Sequence, residues 1–224
     1  MLGLCLIEYA LLANDVYLSE LEPPDPTMMA YGLHRIELDH RKFASGFFAR
    51  LYYSELVEGY VLAFRGTDIS DWGSVSADLE YGAGARPALY SCAMDVFHAV
   101  LRKTPKALGR IAFAGHSLGG ILAKLLALDT GITSVAFNSP GIKRFLGHHS
   151  AHGIVNVNAY KDVVSKIGDQ VGTIINVKVR EGDLLCATDD VLVFNKLACG
   201  VDKHSMQHLV NALMFDSQQG ERSF

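Results

Sequence analysis

Two glycines set two residues either side of a serine, in Gly115-His116-Ser117-Leu118-Gly119, constrain this chain more than any other feature. Before them runs the short apolar stretch Arg110 to Ala114. After them, Leu118 to Leu128 is apolar nearly all round, as a helix buried on every side must be. The pattern predicts a strand that turns into a helix too sharply for a side chain at either glycine. The serine backbone should be strained there, and its hydroxyl should stand exposed above a sheet.

The surrounding periodicities supply the rest of that sheet. Leu4, Ile7, Leu11, Leu12 and Val16 fall at helical spacing over about Cys5 to Tyr17, and Pro23, Pro24 and Pro26 read as the end of that helix. Gly46 to Tyr53 and Gly59 to Phe64 are rich in aromatic and branched residues around a short polar turn at Ser54 and Glu55, which predicts an antiparallel hairpin. Val96, Phe97, Val100 and Leu101 form the apolar face of a helix over Cys92 to Lys103. Short apolar runs at Ser134 to Phe137, Ile154 to Ala159 and Thr173 to Val179 alternate with loops or helices, and a last helix spans about Ser205 to Phe215. The fold class expected is α/β, with a mostly parallel central sheet, an N-terminal antiparallel hairpin and helices on both faces. With 224 residues, half of them apolar, one domain over 1–224 is expected, ending in a polar tail at 217–224.

Composition removes several function classes. The formal net charge is −4, so no basic footprint for nucleic acid or an acidic membrane is present. Cys5, Cys92, Cys186 and Cys199 lack the spacing of a zinc site or a disulfide framework and read as reduced, mostly buried thiols. The apolar start from Leu2 to Ile7 has no basic residues before it, meets Glu8 early and lacks a cleavage site. No apolar run approaches the roughly 18 residues that span a bilayer. The expectation is a protein that is cytoplasmic as synthesised, with any export by a route that needs no signal peptide.

A serine at such a corner needs a base and an acid that orients it, in the chain order serine, acid, histidine. Asp162 follows the run Ile154 to Ala159 almost directly and is the preferred acid. Asp183, Asp189 and Asp190 are alternatives that also fit solvated turns, and Asp169 reads likewise. His204, straight after the Gly200 to Lys203 loop, is the preferred base, with His208 one helical turn further on. His116 should be directed away by the turn as a packed or surface histidine. The pair His204 and His208 lacks the glutamate of a zinc-protease helix, since Ser205 follows the first histidine, and His148, His149 and His152 lie in a polar loop. No metal ligand set is assigned.

Taken together these residues resemble the class 3, or fungal-type, lipases of the α/β-hydrolase fold. Phe64-Arg65-Gly66-Thr67-Asp68, followed by Asp71-Trp72 and Asp78-Leu79, is similar to that family's FRGT, DW and DL segments. Gly115 to Gly120 matches its nucleophile corner, Asn138-Ser139-Pro140-Gly141 its GxP segment, Asp162-Val163-Val164 its acid motif, and Lys203-His204-Ser205 the place of its histidine. The family's vHxGF stretch is not recognisable in Arg86 to Met94. The resemblance implies a serine carboxylic-ester hydrolase, a lipase or phospholipase, with Ser117, His204 and Asp162 as triad. It also implies an oxyanion hole from Thr67 and the Leu118 N–H, and no cofactor. It places a candidate lid at 69–84, where Ile69, Trp72 and Val75 would meet substrate. Acyl esters of glycerolipids are the substrate class implied, with peripheral membrane contact. A phospholipase toxin exported with a cognate immunity protein, and a non-catalytic lipid-binding protein of the same fold, are the alternatives.

Overall fold

In the computed structural model, residues 2–38, 46–66, 86, 87, 89–179 and 205–220 are described. Seven strands form one sheet in simple sequence order: β1 (Leu33–Ile36), β2 (Ala49–Ser54), β3 (Gly59–Phe64), β4 (Ile111–His116), β5 (Ser134–Phe137), β6 (Ile154–Ala159) and β7 (Thr173–Val177). The first three pair antiparallel, and β3 through β7 run parallel. The helices are α1 (Leu6–Asp15), α2 (Pro26–Ala30), α3 (Tyr90–Lys103), α4 (Leu118–Thr130) and α5 (Met206–Gly220).

Strand alternation builds two cores from one sheet. Val61 and Ala63 of β3 join Ala112 and Ala114 of β4 beneath α1 and α5, whereas Leu62, Phe64 and Phe113 face α3 and α4. Parallel strands covered on both faces must be apolar on both, which is why β4 and β6 are buried along their whole length. Because β4, β5 and β6 point the same way, the residues that follow each of them gather along one edge of the sheet.

Two elements depart from the sequence reading. The antiparallel part has three strands rather than a hairpin: β1 is an edge strand of Leu-His-Arg-Ile, and its two central polar residues hide the alternation. Its Arg35 is occupied by Asp15, through Nε at 2.8 Å and Nη2 at 2.6 Å. The prolines do not end the first helix, which stops at Asp15 ahead of them; Pro26 instead starts one. Asp25 caps α2 by accepting from the Thr27 N–H at 2.8 Å, and Pro26 sits at the first turn, where no N–H is needed.

Asp15 gathers more than Arg35. Its carboxylate also accepts from Arg50 Nη1 at 3.1 Å and from the Tyr52 hydroxyl at 2.8 Å, all within the protein interior. Arg50 Nη1 and Nη2 additionally hold the carbonyls of Asp15 and Leu18. A carboxylate at a helix C-terminus opposes the helix dipole, and the two guanidiniums compensate it. The segment between those carbonyls, which contains Tyr17, is thereby fixed to β2.

The thiols correct another expectation. Cys5 is exposed at the start of α1, where its N–H donates to Glu8 Oε2 at 2.6 Å, and Cys92 is half-buried. The first turn of an amphipathic helix and its rim admit a small side chain without burying it, so apolar character alone did not place them. Cys186 and Cys199 lie outside the described residues. Among the described residues, no helix is long and apolar enough to cross a membrane.

Candidate active site

The corner at Ser117 has the geometry that its glycines demand. Ser117 caps α4 at φ 57°, ψ −126°, a region costing on the order of 1–3 kcal/mol for a residue with a side chain. Its N–H bonds Phe137 O of β5 at 3.0 Å, which extends the parallel pairing to the last residue before the helix. A Cβ at Gly115 would stand 2.3 Å from Gly119 O, and one at Gly119 would stand 2.1 Å from Phe64 O. These are backbone atoms of strand and helix, with no flexible side chain to yield. Gly119→Ala is therefore expected to cost about 3 kcal/mol or more, read as a lowered urea midpoint. A midpoint equal to that of the parent would contradict this account of the corner.

The hydroxyl itself is not exposed as the sequence leads one to expect. Ser117 is 1% accessible, and its Oγ has no hydrogen-bond partner among the described residues. The backbone after β3 passes close to the corner. A Cβ at Gly66 would lie 3.0 Å from Ser117 Cβ and 2.7 Å from His116 O. Buried polar groups are ordinarily satisfied, and leaving one unpaired costs about 1–3 kcal/mol. A strained backbone and an unsatisfied hydroxyl at the same residue are hard to explain by stability.

His116 is held rather than poised. It is 6% accessible, and its Nδ1 lies 2.8 Å from the Tyr17 hydroxyl, with the two rings edge to face. That hydroxyl also accepts from the Gly66 N–H at 3.0 Å. Tyr17 thus ties α1 to the residue immediately before Thr67. Sequence reading gave Tyr17 no role; its position just beyond the apolar stripe of α1 was the available signal.

Asp162 lies beyond β6 on the same edge of the sheet as Ser117, which follows β4. It is fully buried, and Oδ2 accepts from the Ser165 N–H at 2.6 Å in the 3-10 turn Val164–Lys166. The turn between strand and acid is tight: Lys161 has φ 69°, and the Asp162 N–H returns to Ala159 O at 3.0 Å. Asn138, after β5, has φ 43°, and its Oδ1 accepts from the Ala159 N–H at 2.8 Å, bracing the loop that leads to the acid. Asp169 is exposed and paired with Lys143 at 3.3 Å.

Leu118 opens α4, so its N–H belongs to the first turn, where helix donors have no partner in the helix. His208 is half-buried on the first turn of α5. Thr67, His204, the candidate lid 69–84 with Ile69, Trp72 and Val75, and the alternative acids Asp183, Asp189 and Asp190 lie outside the described residues. His148, His149 and His152 are exposed in the loop before β6. Among the described residues, no group of three His, Cys, Asp or Glu side chains could hold a metal ion.

A strained serine between a parallel strand and a buried helix, at the carboxyl edge of such a sheet, is the arrangement of the nucleophile corner in serine hydrolases of the α/β-hydrolase fold. The sequence pattern of the phospholipase-like Tle-like phospholipase domain matches residues 8–216, and the chain belongs to that family. It is 27% identical to an extracellular phospholipase A1 of Serratia liquefaciens over 231 aligned positions, spanning 91% of this chain and 69% of that protein. A fungal lipase solved as an inhibitor complex superposes with a TM-score of 0.57 at 16% identity, covering 89% of this chain and 94% of the other. The Lip2 lipase of Yarrowia lipolytica superposes at 0.52 with 17% identity, covering 78% and 77%. At such identities these likenesses establish the fold, and they agree with the fungal-lipase resemblance of the sequence.

Proposed function

We propose that this chain hydrolyses acyl esters of glycerophospholipids through an acyl-enzyme on Ser117. The observation that carries the reading is the strained backbone of Ser117 at the corner between β4 and α4, in a chain of a phospholipase family. In the first half-reaction Ser117 Oγ bonds the ester carbonyl carbon while its proton passes to the His204 imidazole. Collapse of the tetrahedral adduct breaks the ester C–O bond, and the same proton goes to the departing alkoxide, the lysophospholipid oxygen. Water repeats the sequence on the acyl-enzyme and releases the fatty acid. Asp162 orients the imidazole and stabilises its charged form. The N–H groups of Leu118 and Thr67 are assigned to the oxyanion, where one such donor contributes about 3 kcal/mol. No step needs a cofactor.

The family membership and the Serratia relative support a phospholipid over a neutral lipid as substrate. Action on membrane lipids entails peripheral contact with a bilayer. The extracellular naming of that relative supports action outside the producing cell, where a cognate inhibitor would protect the cell that makes the enzyme.

A fluorophosphonate probe followed by peptide mapping tests the nucleophile, and vesicles of phosphatidylethanolamine and phosphatidylglycerol, set beside a triacylglycerol emulsion, test the substrate. Labelling at Ser117, with fatty acid and lysophospholipid released from the vesicles, is the expected result. A protein that binds the vesicles but takes up no label is a lipid-binding relative without turnover, and that outcome would overturn the proposal.

A further inference from the structure

Lys124 is a cation in the middle of the helix that Ser117 opens, about two helical turns from it. It is fully buried, and among the described residues no carboxylate pairs with it. Its ammonium donates to three neutral oxygens: Pro140 O at 2.6 Å, Asn156 Oδ1 at 3.2 Å and Gln170 Oε1 at 3.3 Å. An ammonium has three protons, so every donor is used. Burial alone pushes its pKa down to about 7 from the ordinary lysine value. Burying an unpaired charge is costly, and a methionine would fill the same space without that cost.

The partners show what the cation holds. Asn156 Nδ2 donates to Val171 O at 2.7 Å and Thr173 O at 3.2 Å, and Gln170 Nε2 donates to Ser139 O at 2.7 Å and Ser165 O at 2.8 Å. Both amides are therefore oriented by backbone carbonyls, and each turns its oxygen toward Lys124. Ser165 is the residue whose N–H holds the Asp162 carboxylate at 2.6 Å. Ser139 packs on Gly120, where a Cβ would meet Ser139 Cβ at 2.6 Å. An unbroken run of hydrogen bonds leads from the nucleophile's helix through Gln170 to the turn that carries the acid.

We infer that Lys124 is a positioning residue, which locks the loop after β5 and the acid-bearing turn after β6 to the helix of the nucleophile through Gln170 and Asn156. The inference rests on Ser117 and Asp162 acting together, as proposed above. Displacing a reacting group by about an ångström costs on the order of 10²-fold in rate. Lys124→Met leaves Asn156 and Gln170 without their cation. Gln170→Glu keeps an acceptor for Lys124 but loses both donors to Ser139 and Ser165, so it releases the acid turn while leaving the lysine paired.

The test measures kcat and KM on a soluble short-chain ester, normalised to serine titrated by fluorophosphonate, together with the thermal midpoint. Both variants are expected to lose at least tenfold in kcat with KM changed less than twofold, and the double variant to lose less than the product of the two. Should Lys124→Met fail to fold, Gln170→Glu decides alone. If either folded variant lowers the midpoint but keeps kcat per titrated serine within twofold of the parent, the residues only support the fold and the inference is overturned. Failure of the functional reading is separate, because it shows in the parent protein as absent labelling or turnover.

Discussion

Ser117→Ala is expected to abolish ester hydrolysis, lowering kcat by a factor on the order of 10⁶, while the protein folds at least as well as the parent. The rate prediction follows from the proposed triad acting as a unit: without Oγ no acyl-enzyme can form, and what remains is whatever the proposed oxyanion donors and substrate binding supply. The stability prediction follows from the environment. The removed oxygen is buried and makes no hydrogen bond among the described residues, so alanine relieves an unsatisfied polar group and creates only a small void. The positive φ remains, since alanine also carries a Cβ, so the backbone strain is not relieved. An unchanged or raised thermal midpoint with loss of turnover is the expected pair of measurements. Turnover within tenfold of the parent would mean that another side chain attacks the ester.

The corner was legible because its requirements are steric and local. Two glycines at fixed offsets, an apolar strand before and an apolar helix after suffice to define it, and the contacts at Gly115 and Gly119 show why. The parallel strands β4 to β6 were legible for a similar reason, since burial on both faces leaves nearly continuous apolar runs. What escaped the sequence is what depends on distant partners. β1 was hidden because its central residues His34 and Arg35 mask the alternation, and the partner that accommodates Arg35, Asp15, is distant in the chain. Ser117 is buried, with the backbone at Gly66, distant in the chain, close against it. Lys124 is hard to read in sequence because it lies in a run, Leu118 to Leu128, that is otherwise apolar or glycine; the one charge within that run is itself the signal. Its meaning needed the three-dimensional placement of Pro140, Asn156 and Gln170, none of which spacing can supply.

Asp162→Asn is expected to lower kcat by about 10⁴ with little change in folding, and it bears directly on which carboxylate serves the base. Asparagine is nearly isosteric, and its Oδ1 can still accept the Ser165 N–H that now bonds Oδ2, so the 3-10 turn keeps its anchor. What is lost is the negative charge. An amide can neither stabilise an imidazolium through charge nor enforce the tautomer that presents the free nitrogen to serine, because it can as readily donate as accept. Structure and chemistry are thus separated by one atom: a variant that keeps the thermal midpoint and loses turnover identifies the charge as the working feature. Asp162→Ala cannot make this distinction, since it also strands the Ser165 N–H in a buried place. The opposite result is equally informative. If Asp162→Asn keeps kcat within tenfold, the orienting carboxylate lies elsewhere, and Asp183, Asp189 and Asp190 become the residues to replace. The buried position of Asp162 at the carboxyl end of β6, two strands along the same sheet edge from Ser117, is why the first outcome is expected.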